Sequence, residues 1–528
     1  MKGTAITERR GMVLPGALLW AALACLGASF FLLWNQLTYS PDSWALYELS
    51  QTIFGGNFYE VRHIRSFEQA GAFSSAFPPL WPTLLALTDA LTGLGARAGF
   101  VLAVISSLLF ACASEQYGRR ALGVRWVGLT AAMLVFVMPG FRDEVLAGRT
   151  IPLQLALYAT VLAITARGLL RLREGLLVGL TIGLAVMNRF DALPVALLLP
   201  FLALLLRPKA TFFAGYIATF LLTISPWMIY SRARFGTWFK SDNSSIALGI
   251  EPRHIAEWYP APSATAFDAP LAWFGKVASN GLAMSGHFVI SLGVVTCLGL
   301  LVVVLSIVRQ QPGTDIRESA PLPPLRLLVF GPLLMSLTLS GYVVTGYFDD
   351  RYFVALWWSL MVVGLAMLVR RRPPTHRGAG AVSAALLAMV FAFVIAVAVP
   401  ARTLPRQPSF PKREGDAALL QCLAGHRGKL LMLSDHVEAS RLTAVYGLKT
   451  IMMPRNIEQL QREDIAAFLK RYQVGIVAVE AGREPPFQLT SKRFVRMPGC
   501  PSGWFQQMVN QSVVHQPNET VHDRDEPR

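Results

Sequence analysis

Apolar runs of about 20 residues recur along this chain from residue 11 to residue 400, separated by polar links. Each is long enough to cross roughly 30 Å of hydrocarbon. The pattern predicts about eleven membrane spans, near 11–34, 97–117, 126–140, 150–166, 175–188, 192–206, 211–231, 283–308, 327–346, 352–369 and 379–399. The first follows the polar start MKGTAITERR. No small-residue cleavage site comes after it, so it reads as an uncleaved span rather than a signal peptide. The stretch AFPPLWPTLLALTDALTG (76–93) is apolar but carries a Pro pair and Trp81 at its start. It reads as a shorter helix lying in or dipping into the outer interface. Long outer loops are expected at 35–96 and 232–282.

Beyond residue 401 the period changes. KLLMLSD (429–435), LKTIMMP (448–454) and QVGIVAVE (473–480) read as strands. VEASRLTAVYG (437–447) and NIEQLQREDIAAFLKRY (456–472) read as helices, with Gly447 as a stop signal. This predicts a small extramembrane α/β domain over 401–510. The polar tail 511–528 reads as disordered. The fold class expected is therefore a polytopic α-helical membrane domain, 1–400, followed by a C-terminal α/β domain. No Gly-rich phosphate fingerprint marks either part as a nucleotide site.

Composition agrees with this division. Of 528 residues 53% are apolar and 15% charged, where a soluble domain carries nearer a quarter charged. The net charge of +16 would suggest nucleic acid for a soluble protein. Here it resides in short loops between spans: Arg119/Arg120/Arg125, Arg167/Arg171/Arg173, Arg207/Lys209, Arg309/Arg317/Arg326 and RRRPPTHR at 370–377. The positive-inside rule puts these loops and the N-terminus in the cytoplasm. An odd number of spans then puts the C-terminal domain outside, in the periplasm of a cell with an inner membrane. Cys25, Cys112 and Cys297 lie in apolar runs and behave as small hydrophobes. Cys422 and Cys500 lie in the polar region and are expected to pair if it faces an oxidising compartment. No cysteine or histidine cluster has metal-site spacing.

The candidate chemistry crowds the outer ends of spans. Asp42, in PDSWALYELSQTIFGGNFY (41–59), can serve as a general base if it is partly dry and within reach of a hydroxyl. It also suits the N-cap of the helix that follows, and the two roles are compatible. Arg62, His63, Arg65, Arg142, Arg149, Arg189, Arg232, Arg234 and Arg351 stand on the face where the positive-inside rule disfavours them. Arg is suited to bidentate phosphate recognition. Arg189 and Arg351 sit in very short links, where they either meet a lipid phosphate or pair with Asp191 and with Asp349 or Asp350. Asp143 and Glu144, in FRDEVLAGRT (141–150), either form a solvated turn, orient a sugar, or hold a divalent cation.

In order along the chain, these stretches resemble the polyprenyl-phosphate-sugar-dependent glycosyltransferases of the GT-C class, in particular the protein mannosyltransferase and aminoarabinose transferase superfamily. PDSWALYELSQTIFGGNFY is similar to that class's first outer-loop motif, and FPPLWPTLLAL to its PPLYP segment. GLAVMNRFDALPVALLLP matches the place of a Thr-Lys pair, SPWMIYSRARFGTWF its PW…N…FG stretch, and DDRYFVALWW its RY segment. The resemblance implies transfer of a sugar, with inversion, from a polyprenyl-phosphate donor to an acceptor hydroxyl of a glycan, lipid or protein. It implies Asp42 as the base, Arg62, Arg65, Arg189 and Arg351 as donor-phosphate ligands, and no nucleic acid. Ser43 follows Asp42 where the class often has Glu, so the second acid must come from elsewhere, with Asp143 and Glu144 as candidates. No cofactor is implied beyond a divalent cation at that acidic pair. The rival reading is a transporter or flippase, which would carry its ionisable groups near the bilayer midplane on broken helices. Here the span interiors are nearly free of them.

Overall fold

The computed structural model describes residues within 34–288, 325–371 and 415–507, apart from short breaks, the longest being 480–493. The expected spans at 11–34 and 379–399, most of that at 283–308, and the tail 511–528 lie outside the described residues. The chain divides into two compact units, Met1–Ile255 with Ala261–Pro411, and Ala256–Pro260 with Lys412–Arg528.

The first unit is helical. Its labelled elements are α1 (Pro41–Ile53), α2 (Leu80–Thr92), α3 (Ala98–Leu122), α4 (Arg125–Val137), α5 (Pro139–Leu146), α6 (Ile151–Thr165), α7 (Leu172–Asn188), α8 (Leu193–Ala203) and α9 (Ala210–Phe235). Further along come α10 (Leu325–Ser336), α11 (Ser340–Thr345) and α12 (Val354–Arg371). Among the described residues two helices, Gly95–Ala121 and Ala210–Phe235, are long and apolar enough to cross a membrane. A third crossing arises if Gly140–Leu146 and Ile151–Thr165, bent by 117°, count as one broken span. Shorter apolar helices fall at Val127–Phe136, Phe190–Leu206 and Val329–Thr345, the last two carrying proline. Pro139 opens α5 just after α4 ends, and Pro200 and Pro332 lie inside α8 and α10. Proline removes a backbone donor and crowds the preceding turn.

The long helices present apolar side chains outward. On α9, Ile217, Leu221, Leu222 and Ile229 are all exposed, as suits a lipid-facing surface. Its opposite face packs on α7 through small residues. A Cβ on Gly175, Gly179 or Gly183 would fall 2.1 Å from Phe212 O, 2.3 Å from Tyr216 O and 2.6 Å from Thr223 Cβ. Glycine every fourth residue therefore lets the two backbones close together, the small-residue packing common between membrane helices. In the core, the Trp358 ring meets Phe110 edge-on at 5.3 Å. Its indole N–H donates to Ser114 Oγ (2.8 Å), whose hydroxyl donates to Gly128 O (2.7 Å). The buried indole thus keeps a polar partner.

The second unit alternates strand and helix. Strands β1 (Leu430–Leu433), β2 (Thr450–Met452) and β3 (Val474–Ala478) are parallel, with β1 between the other two. β4 (Phe494–Arg496) and β5 (Trp504–Gln507) extend the sheet antiparallel beyond β3. The helix His436–Tyr446 starts on Asp435, whose carboxylate accepts from Val437 N and Glu438 N, and ends on Gly447 at φ +68°. A disulfide joins Cys422 to Cys500 at a Cα separation of 5.3 Å. The short segment Ala256–Pro260 belongs to this unit. Trp258 N–H donates to Asn456 Oδ1 (3.1 Å), and Asn456 Nδ2 donates back to Trp258 O (2.9 Å).

Candidate active site

Four element ends of the first unit converge on one charged cluster. The first is the start of α1. Ser40 caps this helix: its hydroxyl accepts from Ser43 N, and Ser43 Oγ accepts from Ser40 N. Pro41 takes the first helical position, where its missing N–H costs nothing. Asp42 is therefore not the N-cap that its sequence context suggested. Its carboxylate is spared that role and stays 22% exposed in the first turn, where the helix dipole favours a negative charge.

The second is α5 and the link to α6. Residues 142–144 lie within the helix Pro139–Leu146 and not in the solvated turn that the sequence allowed. Residues Glu144 and Arg149 are brought together by Gly148, at φ +63°, which reverses the chain between them. Glu144 is buried, 1% exposed, and Arg149 Nη2 lies 2.8 Å from its Oε1. Asp143 is 39% exposed and meets Arg142 at 3.7 Å. Burial pushes its carboxyl up despite Arg142 and Arg149. Of the two acids weighed at 143–144, only Glu144 sits between the arginines.

The third is the 3₁₀ turn Asp350–Phe353 before α12. Asp349 caps it, accepting from Arg351 N at 3.1 Å. Gly140 on α5 makes the approach of this turn possible, since a Cβ there would lie 2.9 Å from Arg351 N. Arg351 Nη1 reaches Glu144 Oε1 at 3.0 Å and Asp42 Oδ2 at 3.8 Å. Its Nη2 donates to Tyr352 Oη at 2.9 Å. Arg149 Nη1 also lies 3.8 Å from Asp42 Oδ2. One buried carboxylate thus grips two guanidiniums tightly, and one partly exposed carboxylate faces both at longer range. Burial works to lower the Arg351 pKa. Glu144, Tyr352, Asp42 and Asp349 outweigh it and hold the group above its ordinary value.

The fourth is the break between α7 and α8. Arg189 ends α7 with its side chain spread over three partners: Asp191 Oδ2 (2.9 Å), Thr150 Oγ1 (2.8 Å) and Tyr342 Oη (2.8 Å). Tyr342 in turn donates to Asp191 and stacks on Tyr352 at 3.8 Å between ring centroids. The buried Asn188 donates to Thr150 O and Gln154 Oε1, tying α7 to the start of α6. Arg189 is thereby joined to Arg351 through the Tyr342–Tyr352 stack. Burial works to lower its pKa too, and Asp191, followed by Tyr352 and Glu144, holds it above the ordinary value.

Of the residues singled out from sequence, Asp42, Glu144, Arg189 and Arg351 are brought into one network. Arg62 is exposed, and its backbone N–H donates to Glu48 Oε1 at 2.5 Å. Arg65 lies outside the described residues. Arg149, Tyr342 and Tyr352 carry the network and had no assigned role. Arg149 was visible as an arginine on the disfavoured face. Tyr352 stood in the RY segment of the resemblance without a role of its own, and Tyr342 gave no signal, since an aromatic near a span end usually belongs to the interfacial belt. Among the described residues no three His, Cys, Asp or Glu side chains are grouped as metal ligands.

The fold of the chain is similar to that of solved GT-C membrane glycosyltransferases. The archaeal oligosaccharyltransferase AglB from Archaeoglobus fulgidus, solved in complex with an inhibitory peptide and a dolichol-phosphate, aligns with a TM-score of 0.53 at 13% identity, over 88% of this chain and 69% of its own. ArnT from Cupriavidus metallidurans, bound to undecaprenyl phosphate, aligns with a TM-score of 0.51 at 14% identity, over 87% of this chain and 92% of its own. The mycobacterial arabinofuranosyltransferase AftD, as its R1389S mutant, aligns with a TM-score of 0.51 at 18% identity, over 88% of this chain but 37% of its own. No protein-family model and no curated protein matches the chain.

Proposed function

We propose that this chain is a membrane glycosyltransferase, moving a sugar from a polyprenyl-phosphate donor to an acceptor hydroxyl at the non-cytosolic face. The observation that carries this reading is the pair of 3.8 Å contacts from Asp42 to Arg149 and Arg351, both gripped by Glu144. A base and a fixed dication then share one site, which is what displacement of a lipid phosphate from a sugar needs. Two structures of the same fold, AglB and ArnT, hold a dolichol-phosphate and an undecaprenyl phosphate.

The acceptor hydroxyl gives its proton to the Asp42 carboxylate, and its oxygen bonds to the anomeric carbon. The bond from that carbon to the phosphate oxygen breaks, its electron pair staying on the phosphate. The leaving phosphate gains one negative charge, and Arg149 and Arg351 are positioned to neutralise it in a low-dielectric setting. Direct displacement of this kind inverts the anomeric centre. Both carboxylates already face guanidiniums, so the step as proposed runs without a divalent cation.

The disulfide Cys422–Cys500 supports placing the C-terminal unit in an oxidising compartment, the periplasm of a cell with an inner membrane. With four proposed spans between them, the second outer loop and the C-terminus lie on the same face in this reading. The test is transfer from a radiolabelled polyprenyl-phosphate sugar in membranes carrying the wild-type protein or Asp42→Asn. Loss of transfer with normal insertion is expected. Normal transfer by the mutant removes this reading.

A further inference from the structure

Resting on that reading, we propose that Asp42 is held in reserve by the two arginines and is released as a base only when the donor phosphate takes its place on them. The charges at the site are already matched. Arg149 and Arg351 face Asp42 and Glu144, with Asp349 3.4 Å from Arg351 Nε on the rim. Arg189 is matched by Asp191. A phosphodiester anion entering this site must therefore displace a carboxylate or leave negative charge in excess.

The two carboxylates are not equally displaceable. Glu144 is 1% exposed and lies 2.8 and 3.0 Å from the guanidinium nitrogens, within hydrogen-bond distance. Turning it out would strand a buried charge. Asp42 is 22% exposed, and both its contacts to these arginines are 3.8 Å, too long for hydrogen bonds. Arg149 Nε is buried and makes no hydrogen bond among the described residues. Glu144 therefore acts as the anchor that keeps both guanidiniums in place, and Asp42 as the counterion that a phosphate can replace.

The exchange ties the base to the donor. While Asp42 faces both arginines, its carboxylate is directed at their guanidiniums. Once phosphate occupies them, the carboxylate is displaced and turns to the acceptor hydroxyl. During transfer Asp42 takes the acceptor's proton as the phosphate gains its charge. When Asp42 loses that proton to water, it competes for the arginines again and helps expel the lipid phosphate.

The experiment measures binding of undecaprenyl phosphate to the full chain in nanodiscs, alongside sugar transfer, for wild type, Asp42→Asn, Asp42→Ala and Glu144→Gln. Removing a competing counterion should tighten binding about tenfold in both Asp42 variants while transfer is lost. Glu144→Gln should weaken binding, because the anchor is gone. Thermal melts check that each variant is folded, and the Asp42→Ala arm keeps the test open if Asp42→Asn does not fold. Unchanged or weaker binding by folded Asp42 variants that no longer transfer overturns the reserve mechanism and leaves the proposed function intact. Retained transfer by those variants overturns both.

Discussion

Asp42 and Glu144 face the same two arginines, and burial gives them different work. Asp42 keeps contact with solvent, so it can meet a hydroxyl. Its replacement by Asn should lower transfer by about 10²- to 10⁴-fold, the range for loss of a general base, with little change in thermal stability. Glu144 is sealed in. Its replacement by Ala leaves two guanidiniums without their buried partner and should cost about 3–5 kcal/mol of stability, read as a drop in melting temperature. Glu48 offers a third case at this scale. Its carboxylate accepts the backbone N–H groups of Arg62 and His63, and burial pushes it up to about 7 from 4.5. A raised carboxyl stabilises the fold when protonated, and that contribution is lost as pH climbs from 4.5 through 7. Glu48→Gln should therefore be more stable than wild type at pH 8, by up to roughly 3 kcal/mol, read from thermal melts. The gap should close toward pH 5. Asp42, Arg189 and Arg351 could be found from sequence because charge at a span end is costly and stands out. Tyr342 and Tyr352 could not, because what matters is their stacking across 10 residues of chain, which composition does not encode.

At the scale of elements, the site is an assembly of helix ends. Ser40 fixes the start of α1, Gly148 turns the chain from α5 into α6, and Gly140 admits the turn that carries Arg351. Gly140→Ala should push that turn away from Glu144. A displacement near 1 Å is enough to cost about 10²-fold in rate, so transfer should fall while the protein still inserts, as checked by the membrane assay with a western blot for expression. The N-cap assignment shows the limit of local reading. Ser40 and Asp42 are both good caps, and the sequence alone does not tell that Pro41 takes the first helical position and leaves the cap to Ser40. Among the described residues several helices are shorter than the spans the sequence predicts, because Pro139, Pro200 and Pro332 interrupt or end helices inside continuous apolar runs. In the C-terminal region the order of strands and helices between 430 and 478 follows the alternation visible in the sequence, although the helix expected from 456 starts at Arg462, after a 3₁₀ turn at Ile457–Gln459. β4 and β5 did not show, being only 3 and 4 residues long.

For the whole molecule, the pairing of Cys422 with Cys500 should contribute about 2–4 kcal/mol to the C-terminal unit. Cys422→Ser should lower its melting temperature, and in unreduced wild-type protein neither thiol should take up an alkylating label. The charge balance at the site predicts that chelators leave the transfer rate unchanged, a result checked by assaying with EDTA and with added Mg²⁺ or Mn²⁺. The order of motifs along the chain pointed to the fold class, but not to the number of spans. The division into units did not follow that order, since five residues from the middle of the chain belong to the C-terminal unit.

That insertion bears on how the protein is made. Trp258, 4% exposed in the finished unit, leaves the ribosome 198 residues before Asn456, the side chain that bonds its backbone. Until then an indole meant for burial has no partner from that unit, and a chain truncated before residue 412 never supplies one. Stalled or shortened products should thus be recognised as incomplete by quality-control proteases, even when every helix before them has been inserted.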